Sequence, residues 1–287
     1  MSEFASTRAE LSALLTRPGR LGFVPTMGAL HEGHASLIRR ARDEVGDGPV
    51  VVSIFVNPLQ FGEGEDLDRY PRTLEADLAL CADNGADIVF APSVDEVYPG
   101  GEPQVTVEPG PVAEILEGES RPGHFRGVLT VVAKLFGLVQ PDVAVFGQKD
   151  YQQLALIRRM TQDLCLAGRS GPIQIVGAET MREDDGLAMS SRNRYLDAEQ
   201  RQVAVTLSRA LKAAQARAPY GLPAARWAAM AVLQAEPRLE LDYLALRATD
   251  LSELPDYLDQ PTVGRILVAA KVGSTRLIDN MALHFGS

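Results

Sequence analysis

The chain has few cysteines, a deficit of basic residues and no long apolar segment. We expect its two cysteines, Cys81 and Cys165, to be packed thiols in a reducing compartment. The net charge of −10 argues against a nucleic-acid binder, which needs a basic surface. The longest apolar stretch, PVVVSIFV, is too short to cross a bilayer, and MSEFASTRAELSALL lacks the regions of a signal peptide. We therefore expect a cytoplasmic protein without nucleic-acid or membrane partners.

Short apolar runs alternate with helical patterns over residues 1–180. The runs are LGFVPT, VVVSIFVN, ADIVFAP, VAVFGQKD and IQIVGAET. In the segment after the first run, Ala35, Ile38, Ala41 and Val45 recur at helical spacing. This alternation predicts an α/β fold, a Rossmann-like parallel sheet with helices on both faces.

Residues 181–287 follow a different pattern. Asp197 and Gln200 have the spacing of a capping box, which predicts the start of a long helix. Two strand-like runs come next, LELDYLALR and GRILVAAKVG. We therefore predict a smaller C-terminal α+β domain that carries the MSSRN segment as a lid.

Four polar stretches each follow a predicted strand or run. They are PTMGALHEGH, NPLQF, FGQKD and TMREDDGLAMSSRN. Because ligands bind at the carboxyl ends of parallel strands, we expect all four to open onto one crevice. The acidic run GEGEDLD (62–68) lacks the ligand spacing of a calcium loop, so we expect a surface loop there.

The first stretch has the features of an anion site. Gly28 and Gly33 allow close approach of a ligand, and a helix beginning near His34 would direct main-chain N–H groups at the same place. His31 and His34 can donate hydrogen bonds to phosphate oxygens, and Lys149 offers a counter-charge. A zinc site on the two histidines is an alternative, but it needs at least one further protein ligand.

The other stretches supply amides and an arginine. Gln60 follows a strand, and Gln153 lies four residues after Lys149, which predicts a shared helical face. Amides suit hydroxyl and carboxylate groups because they both donate and accept hydrogen bonds. In AMSSRN, Arg192 can bind phosphate in a bidentate manner.

Taken together, the motifs resemble one family. PTMGALHEGH, SIFVNPLQF, YPRT, RPGHFRGVLTVV, FGQKDYQQL and GLAMSSRNRYL are similar to the pantothenate synthetases, the pantoate–β-alanine ligases. The resemblance covers residues 21–196 and continues more weakly to the C-terminus. H-x-G-H alone is shared with the wider nucleotidyltransferase and class I aminoacyl-tRNA synthetase superfamily, whereas the ordered combination of motifs is specific.

The resemblance implies an ATP-dependent, AMP-forming amide ligase. ATP and (R)-pantoate would give pantoyl adenylate and pyrophosphate, and β-alanine would then displace AMP to give pantothenate. Mg²⁺ would bridge the phosphates. Members of the family are dimeric, so we expect a homodimer.

The resemblance also implies the site residues. His34 would be the acid for pyrophosphate departure, and His31, Lys149 and Arg192 would complete the catalytic set. Gln60 and Gln153 would hold pantoate, with Gln60 also near β-alanine, and Asp77 would be an outer Mg²⁺ ligand. The nucleotide-binding set comprises Met27, Gly28, Ala29, Leu30, His31, Glu32, Gly33, His34, Gly147, Gln148, Lys149, Asp150, Met181, Met189, Ser190, Ser191 and Arg192. Gln148 replaces a glutamate that is common in the family.

Three other functions compete with this one. A nucleotidyltransferase that stops after pyrophosphate release is disfavoured because Gln60 and Gln153 suit a hydroxy acid better than a phosphorylated acceptor. A fragment of a class I synthetase is disfavoured by the net charge of −10. A non-catalytic nucleotide-binding regulator is disfavoured because all the basic and amide groups needed for chemistry are present.

Overall fold

The computed structural model describes residues 2–62, 67–255 and 258–286, so most of the acidic run at 62–68 lies outside the described residues. The chain divides into two compact units. The first comprises Met1–Gly147 and Gln152–Glu179, and the second comprises Gln148–Tyr151 and Thr180–Ser287. The sequence predicts a boundary after residue 180; the short segment at 148–151 that joins the second unit is not apparent from sequence patterns.

The first unit contains a six-stranded sheet in which every neighbouring pair is parallel. Its strands are β1 (Glu3–Ala5), β2 (Gly22–Thr26), β3 (Val50–Ile54), β4 (Ile88–Phe90), β5 (Val143–Gly147) and β6 (Gln174–Ala178). Their spatial order is β1-β4-β3-β2-β5-β6. The predicted parallel α/β sheet is confirmed, and five of the strands match the five apolar runs. Strand β1 is too short for a periodic pattern.

Helices cover both faces of this sheet. They are α1 (Arg8–Leu14), α2 (Glu32–Val45), α3 (Leu74–Asp83), α4 (Val94–Val97), α5 (Glu117–Ser120), α6 (His124–Val139) and α7 (Tyr151–Asp163). The predicted apolar stripe of α2 is buried, and Ile38 packs in one cluster with Val24 and Val52. On the opposite face, the ring of Phe136 in α6 lies 6.3 Å from that of Phe23 in β2.

The strand order places a topological switch point between β2 and β5. From β2 the chain adds β3 and β4 on one side of the sheet and then crosses to add β5 and β6 on the other. Connections leaving the carboxyl ends of β2 and β5 therefore diverge, and switch points of this kind are where such sheets bind ligands. The segments after β2, β3 and β5 are the first three of the four polar stretches.

The second unit pairs two long helices with an antiparallel sheet. Its elements are α8 (Ala198–Arg217), α9 (Leu222–Gln234), β7 (Leu239–Ala248), β8 (Thr262–Val272) and β9 (Thr275–Phe285). The capping box predicted for α8 is present. Strand β9 was not predicted, because the buried polar residues Asp279 and Asn280 interrupt its apolar pattern. Among the described residues, no helix has the length and apolar character needed to span a membrane.

The two cysteines differ. Cys81 is buried in α3, where burial and the nearby charge of Asp77 raise its pKa to about 12. Cys165 is exposed, so the prediction that both thiols are packed is wrong for this residue. It follows the end of α7 in the left-handed backbone region, and its apolar neighbours in sequence do not cover it.

Candidate active site

Two histidines cap the N-terminus of α2 reciprocally. His31 is the N-cap residue, and its Nδ1 accepts a hydrogen bond from the main-chain N–H of Gly33 at 3.1 Å. Nδ1 of His34 accepts from the main-chain N–H of His31 at 3.3 Å. From these hydrogen bonds we assign the neutral tautomer of each ring with its proton on Nε2. Each imidazole can therefore donate through Nε2 beside the positive end of the helix dipole.

The turn before the histidines has an unusual backbone. Gly28 and Ala29 have φ angles of 85° and 51°, both in the left-handed region. Asp77 in α3 accepts hydrogen bonds from the main-chain N–H groups of Ala29 at 3.0 Å and Leu30 at 2.8 Å. A Cβ at Gly28 would make a tight contact, 3.1 Å, with Oδ2 of Asp77, and the positive φ angle of this position favours glycine.

A buried hydrogen-bond relay fixes the side-chain amide of Gln60. Asn57, which is 1% exposed, donates from Nδ2 to Oε1 of Gln60 at 3.2 Å and to the carbonyl of Gly127 at 3.1 Å. Its Oδ1 accepts from the hydroxyl of Tyr98 at 2.9 Å. Burial raises the pKa of Tyr98, which keeps its hydroxyl a donor. Nε2 of Gln60 consequently points to the sulfur of Met27, and this amide presents N–H rather than oxygen.

A solvent-open pocket of about 190 Å³ lies in the first unit beside the main chain of Gln60. Nδ1 of His124 lies 2.8 Å from the carbonyl oxygen of Gln60, which also accepts from Arg121 at 3.4 Å. A Cβ at Gly127 would lie only 2.1 Å from the carbonyl oxygen of Leu59, so only glycine lets α6 pack this closely against the segment after β3. Hydrogen bonds thus fix both the main-chain carbonyl and the side chain of Gln60.

The two neighbouring glutamines of α7 have different environments. Gln152 is 2% exposed, accepts from the main-chain N–H of Glu117 at 3.0 Å and donates to the carbonyls of Val112 and Ile115. These bonds give Gln152 a structural role. Gln153 is half-buried, and its assignment to a ligand site stays a prediction.

Lys149 belongs to a short 3-10 turn, Gln148–Asp150, that precedes α7. Lys149 therefore lies outside α7, and the prediction that it shares a helical face with Gln153 does not hold. The side-chain amide of Asn280 donates to the carbonyls of Gln148 at 2.9 Å and Lys149 at 2.8 Å. Oε1 of Gln148 accepts from Arg265 at 3.0 Å. Strands β8 and β9 thus hold the turn that carries the lysine.

Ion pairs and hydrogen bonds hold both ends of the fourth polar stretch, TMREDDGLAMSSRN. Arg182 forms a two-point ion pair with Asp279 at 2.7 and 2.9 Å. Glu183 accepts from the side chain of Asn193 at 2.7 Å and from Arg201. Between these anchors, Oγ of Ser190 accepts from the main-chain N–H of Arg192 at 3.2 Å and begins a 3-10 turn that continues to Tyr195. The Ser190–Arg192 segment therefore has a defined backbone within its own unit.

Sequence reasoning missed the roles of Asn57 and Tyr98. Asn57 stands in the FVNPLQF motif, where its pairing with proline indicates only the end of a strand. Tyr98 lies 41 residues further along the chain, and no local pattern links the two residues.

The parallel sheet, with its switch point beside a histidine-capped helix N-terminus, defines an α/β protein whose H-x-G-H segment lies at the carboxyl end of a central strand. A family model described as "Pantoate-beta-alanine ligase" matches residues 1–282. The chain belongs to the pantoate–β-alanine ligase family.

Named relatives agree over nearly the full length. The chain is 67% identical to a pantothenate synthetase of Nocardioides sp., over 99% of this chain and 86% of the relative. It is 52% identical to a pantothenate synthetase of Streptomyces avermitilis, over 98% of this chain and 97% of the relative.

Solved structures agree as well. The pantothenate synthetase of Thermus thermophilus has a TM-score of 0.88 at 50% identity, covering 97% of this chain and 98% of the other. A pantoate–β-alanine ligase from Francisella tularensis, complexed with "Beta-gamma ATP" and β-alanine, has a TM-score of 0.78 at 34% identity, covering 98% and 97%.

Proposed function

We propose that this enzyme condenses (R)-pantoate with β-alanine at the expense of ATP, through a pantoyl adenylate, and releases pyrophosphate and AMP. Family membership supports the ligase activity. The Francisella relative in complex with an ATP compound and β-alanine supports the use of ATP and of this amine.

Adenylation solves a specific chemical problem. A carboxylate resists attack by an amine because it is already anionic and lacks a good leaving group. In the first step, a carboxylate oxygen of pantoate attacks the α-phosphorus of ATP, and pyrophosphate leaves. In the second step, the amine of β-alanine attacks the acyl carbon, AMP leaves with the carboxylate oxygen, and the amine loses a proton.

The pair of histidines at the N-terminus of α2 carries this proposal. With Nδ1 of both rings accepting main-chain N–H groups, His31 and His34 are set to donate from Nε2 to phosphate oxygens. The helix N-terminus adds its partial positive charge at the same place. These donors stabilise the negative charge that grows on the departing pyrophosphate, since they are oriented before the reaction begins. In this arrangement His34 assists departure as a hydrogen-bond donor.

Other basic groups neutralise the polyphosphate. Lys149 would supply a counter-charge, and Arg192 with the hydroxyls of Ser190 and Ser191 would bind phosphate oxygens. The remaining residues of the nucleotide pocket are Met27, Gly28, Ala29, Leu30, Glu32, Gly33, Gly147, Gln148, Asp150, Met181 and Met189.

Gln60 and Gln153 bind pantoate in this scheme. Because Asn57 occupies Oε1 of Gln60, the substrate meets the N–H side of that amide. An N–H donor suits the carboxylate or hydroxyl oxygens of pantoate, and it remains suitable when β-alanine replaces AMP at the acyl carbon.

Mg²⁺ would neutralise phosphate charge when it binds with the nucleotide. Among the described residues, no three or more His, Cys, Asp or Glu side chains lie close enough together to hold a metal ion. Asp77 is buried, and both of its oxygens accept main-chain hydrogen bonds. These residues do not fit a protein-built Mg²⁺ site, and no step described above depends on one. The homodimer implied by the resemblance and the cytoplasmic location expected from the sequence stay predictions.

Product analysis tests the proposal. The enzyme is incubated with ATP, β-alanine and pantoate whose carboxylate carries heavy oxygen, and products are identified by mass spectrometry. We expect pantothenate and AMP in equal amounts, with one heavy oxygen transferred to AMP. Pyrophosphate without pantothenate would indicate a simple nucleotidyltransferase. ADP as the product would indicate an acyl phosphate, and ATP binding without turnover would indicate a regulator.

A further inference from the structure

Asp77 and the turn before His31 form one hydrogen-bonded unit. Two successive main-chain N–H groups, of Ala29 and Leu30, donate to different oxygens of the Asp77 carboxylate at 3.0 and 2.8 Å. The hydroxyl of Thr73 donates to Oδ1 at 3.2 Å. Asp77 is 2% exposed, so these donors replace the water that would otherwise solvate its charge.

The turn requires an external support. Ala29 has a φ of 51°, a region that residues with a Cβ rarely adopt. Its main-chain N–H and that of Leu30 point to the carboxylate, so the ionised side chain offsets the cost of this conformation with charge-assisted hydrogen bonds. The same turn delivers the chain to His31, the N-cap of α2.

The surroundings of Asp77 do not resemble a Mg²⁺ site. Mg²⁺ prefers six oxygen ligands in near-octahedral geometry. On α3, the residue before Asp77 is Ala76 and the residue one turn later is Leu80, and neither side chain offers an oxygen. The charge of Asp77 is directed to the backbone of the turn.

We propose that Asp77 is a positioning residue that sets the turn at 28–30, and thereby the His31–His34 pair, for binding the ATP phosphates, and that it is not a ligand of Mg²⁺. This inference rests on the proposed use of ATP.

A binding experiment with and without metal distinguishes the two roles. ATP affinity is measured by calorimetry for the wild type and for Asp77→Asn, in Mg²⁺ and in EDTA. The amide replaces one acceptor with a donor that opposes a main-chain N–H, so we expect ATP to bind about tenfold to a hundredfold more weakly, the scale of a lost hydrogen bond to a charged group. The factor should be equal in Mg²⁺ and in EDTA. If Asp77→Asn weakens ATP binding only in the presence of Mg²⁺, the proposal is wrong and Asp77 is a ligand of the metal.

A second measurement needs neither ATP nor metal. The protein has four histidines, so their ring nitrogen signals can be resolved by NMR in the ligand-free enzyme. Asp77→Asn should shift the Nδ1 signals of His31 and His34 and leave that of His284, on β9, unchanged. Unchanged signals from His31 and His34 would contradict the positioning role. This result would hold even if the wild type did not bind ATP and the proposed function were therefore wrong.

Two further variants complete the test. Asp83→Asn removes an exposed carboxylate at the end of the same helix and should change neither ATP affinity nor the histidine signals. Thr73→Val removes a single donor to Asp77 and retains the carboxylate, so it serves if Asp77→Asn does not fold. It should weaken ATP binding a few-fold, equally with and without Mg²⁺, and shift the same histidine signals. A loss seen only with Mg²⁺, or unshifted signals, would again overturn the proposal.

Discussion

Nδ1 of His34 accepts a hydrogen bond from the main-chain N–H of His31 at 3.3 Å, and the two rings lie 4.2 Å apart. A ring in this position cannot carry a proton on Nδ1 without losing the hydrogen bond that caps the helix. Under the proposed function, the contribution of His34 to catalysis is therefore a hydrogen-bond donor at Nε2. The proposal thus gives this histidine two functions, a structural cap through Nδ1 and a phosphate contact through Nε2.

Two replacements of His34 should separate these functions. Asn can take over the acceptor at the Nδ1 position, whereas Gln can reach the position of Nε2 and donate there. We expect His34→Asn to slow pyrophosphate formation from ATP and pantoate by about 10²–10³, the scale of one lost oriented donor. His34→Gln should retain more of this activity.

Both variants should react supplied pantoyl adenylate with β-alanine at nearly the wild-type rate, because the phosphate donor acts in the first step. Single-turnover assays of the two half-reactions measure this. If the second half-reaction falls as far as the first, His34 serves both steps or maintains the site as a whole.

The relay through Asn57 predicts a selective effect on pantoate. In Asn57→Asp, a carboxylate oxygen would face Oε1 of Gln60, so the amide of Gln60 should rotate and present oxygen to the substrate. We expect the KM for pantoate to rise about tenfold or more while the KM for ATP stays within a few-fold. Tyr98→Phe removes one donor to Asn57 and should have a smaller effect in the same direction.

Thr161→Val is the control for these variants. It removes a buried hydroxyl that donates to the carbonyl of Ile157 within α7, and no contact in the described part of the chain links it to Gln60. Its KM values should match those of the wild type. Equal rises for pantoate and ATP in Asn57→Asp would argue against a fixed amide orientation.

The adjacent glutamines of α7 should behave oppositely. Gln152→Ala leaves one main-chain N–H and two carbonyls without their buried partner, so we expect the melting temperature to fall by roughly 5 °C or more. Gln153→Ala should retain the wild-type melting temperature and weaken pantoate binding, with ATP binding almost unchanged. Calorimetric titrations and thermal denaturation of both variants measure this. Equal loss of both ligands in Gln153→Ala would remove it from the pantoate site.

Asp142 should contribute stability that disappears in acid. Its carboxylate accepts from the main-chain N–H groups of Leu21 at 2.8 Å and Ser170 at 2.7 Å. Burial raises its pKa, but these hydrogen bonds outweigh burial and hold the pKa below the ordinary value. A group with a lowered pKa in the folded state stabilises above its unfolded pKa, and this stabilisation is lost as the pH falls through the folded pKa.

The wild type should therefore exceed Asp142→Asn in its free energy of unfolding near neutrality, and the difference should shrink as the pH falls below about 5. Urea denaturation at several pH values measures the difference. The exposed carboxylate of Asp47 provides a control, because Asp47→Asn should give a small difference that changes little. A difference for Asp142→Asn that grows in acid would contradict the assignment.

Local patterns in the sequence are sufficient for five strands of the parallel sheet and for helix α2. Apolar runs followed by helical spacing predict the parallel strands, since each pattern reflects burial along a single element. The H-x-G-H cluster after β2 predicts the anion site, because a histidine cap involves only four consecutive residues. The capping box of α8 is local in the same way.

Only the tertiary structure decides which buried polar groups meet. Asp77 reaches the turn 47 residues earlier in the chain, and Asn280 holds the Lys149 turn from 131 residues away. From the sequence alone, each of these side chains could equally be a surface group or a ligand. Its role depends on which donors the topology brings to it, because a buried polar atom must pair with whatever the packed chain places beside it. For that reason the sequence alone determined the parallel strands and the helix that carries the H-x-G-H cluster, whereas the fold decided which buried polar groups hold the turns beside them.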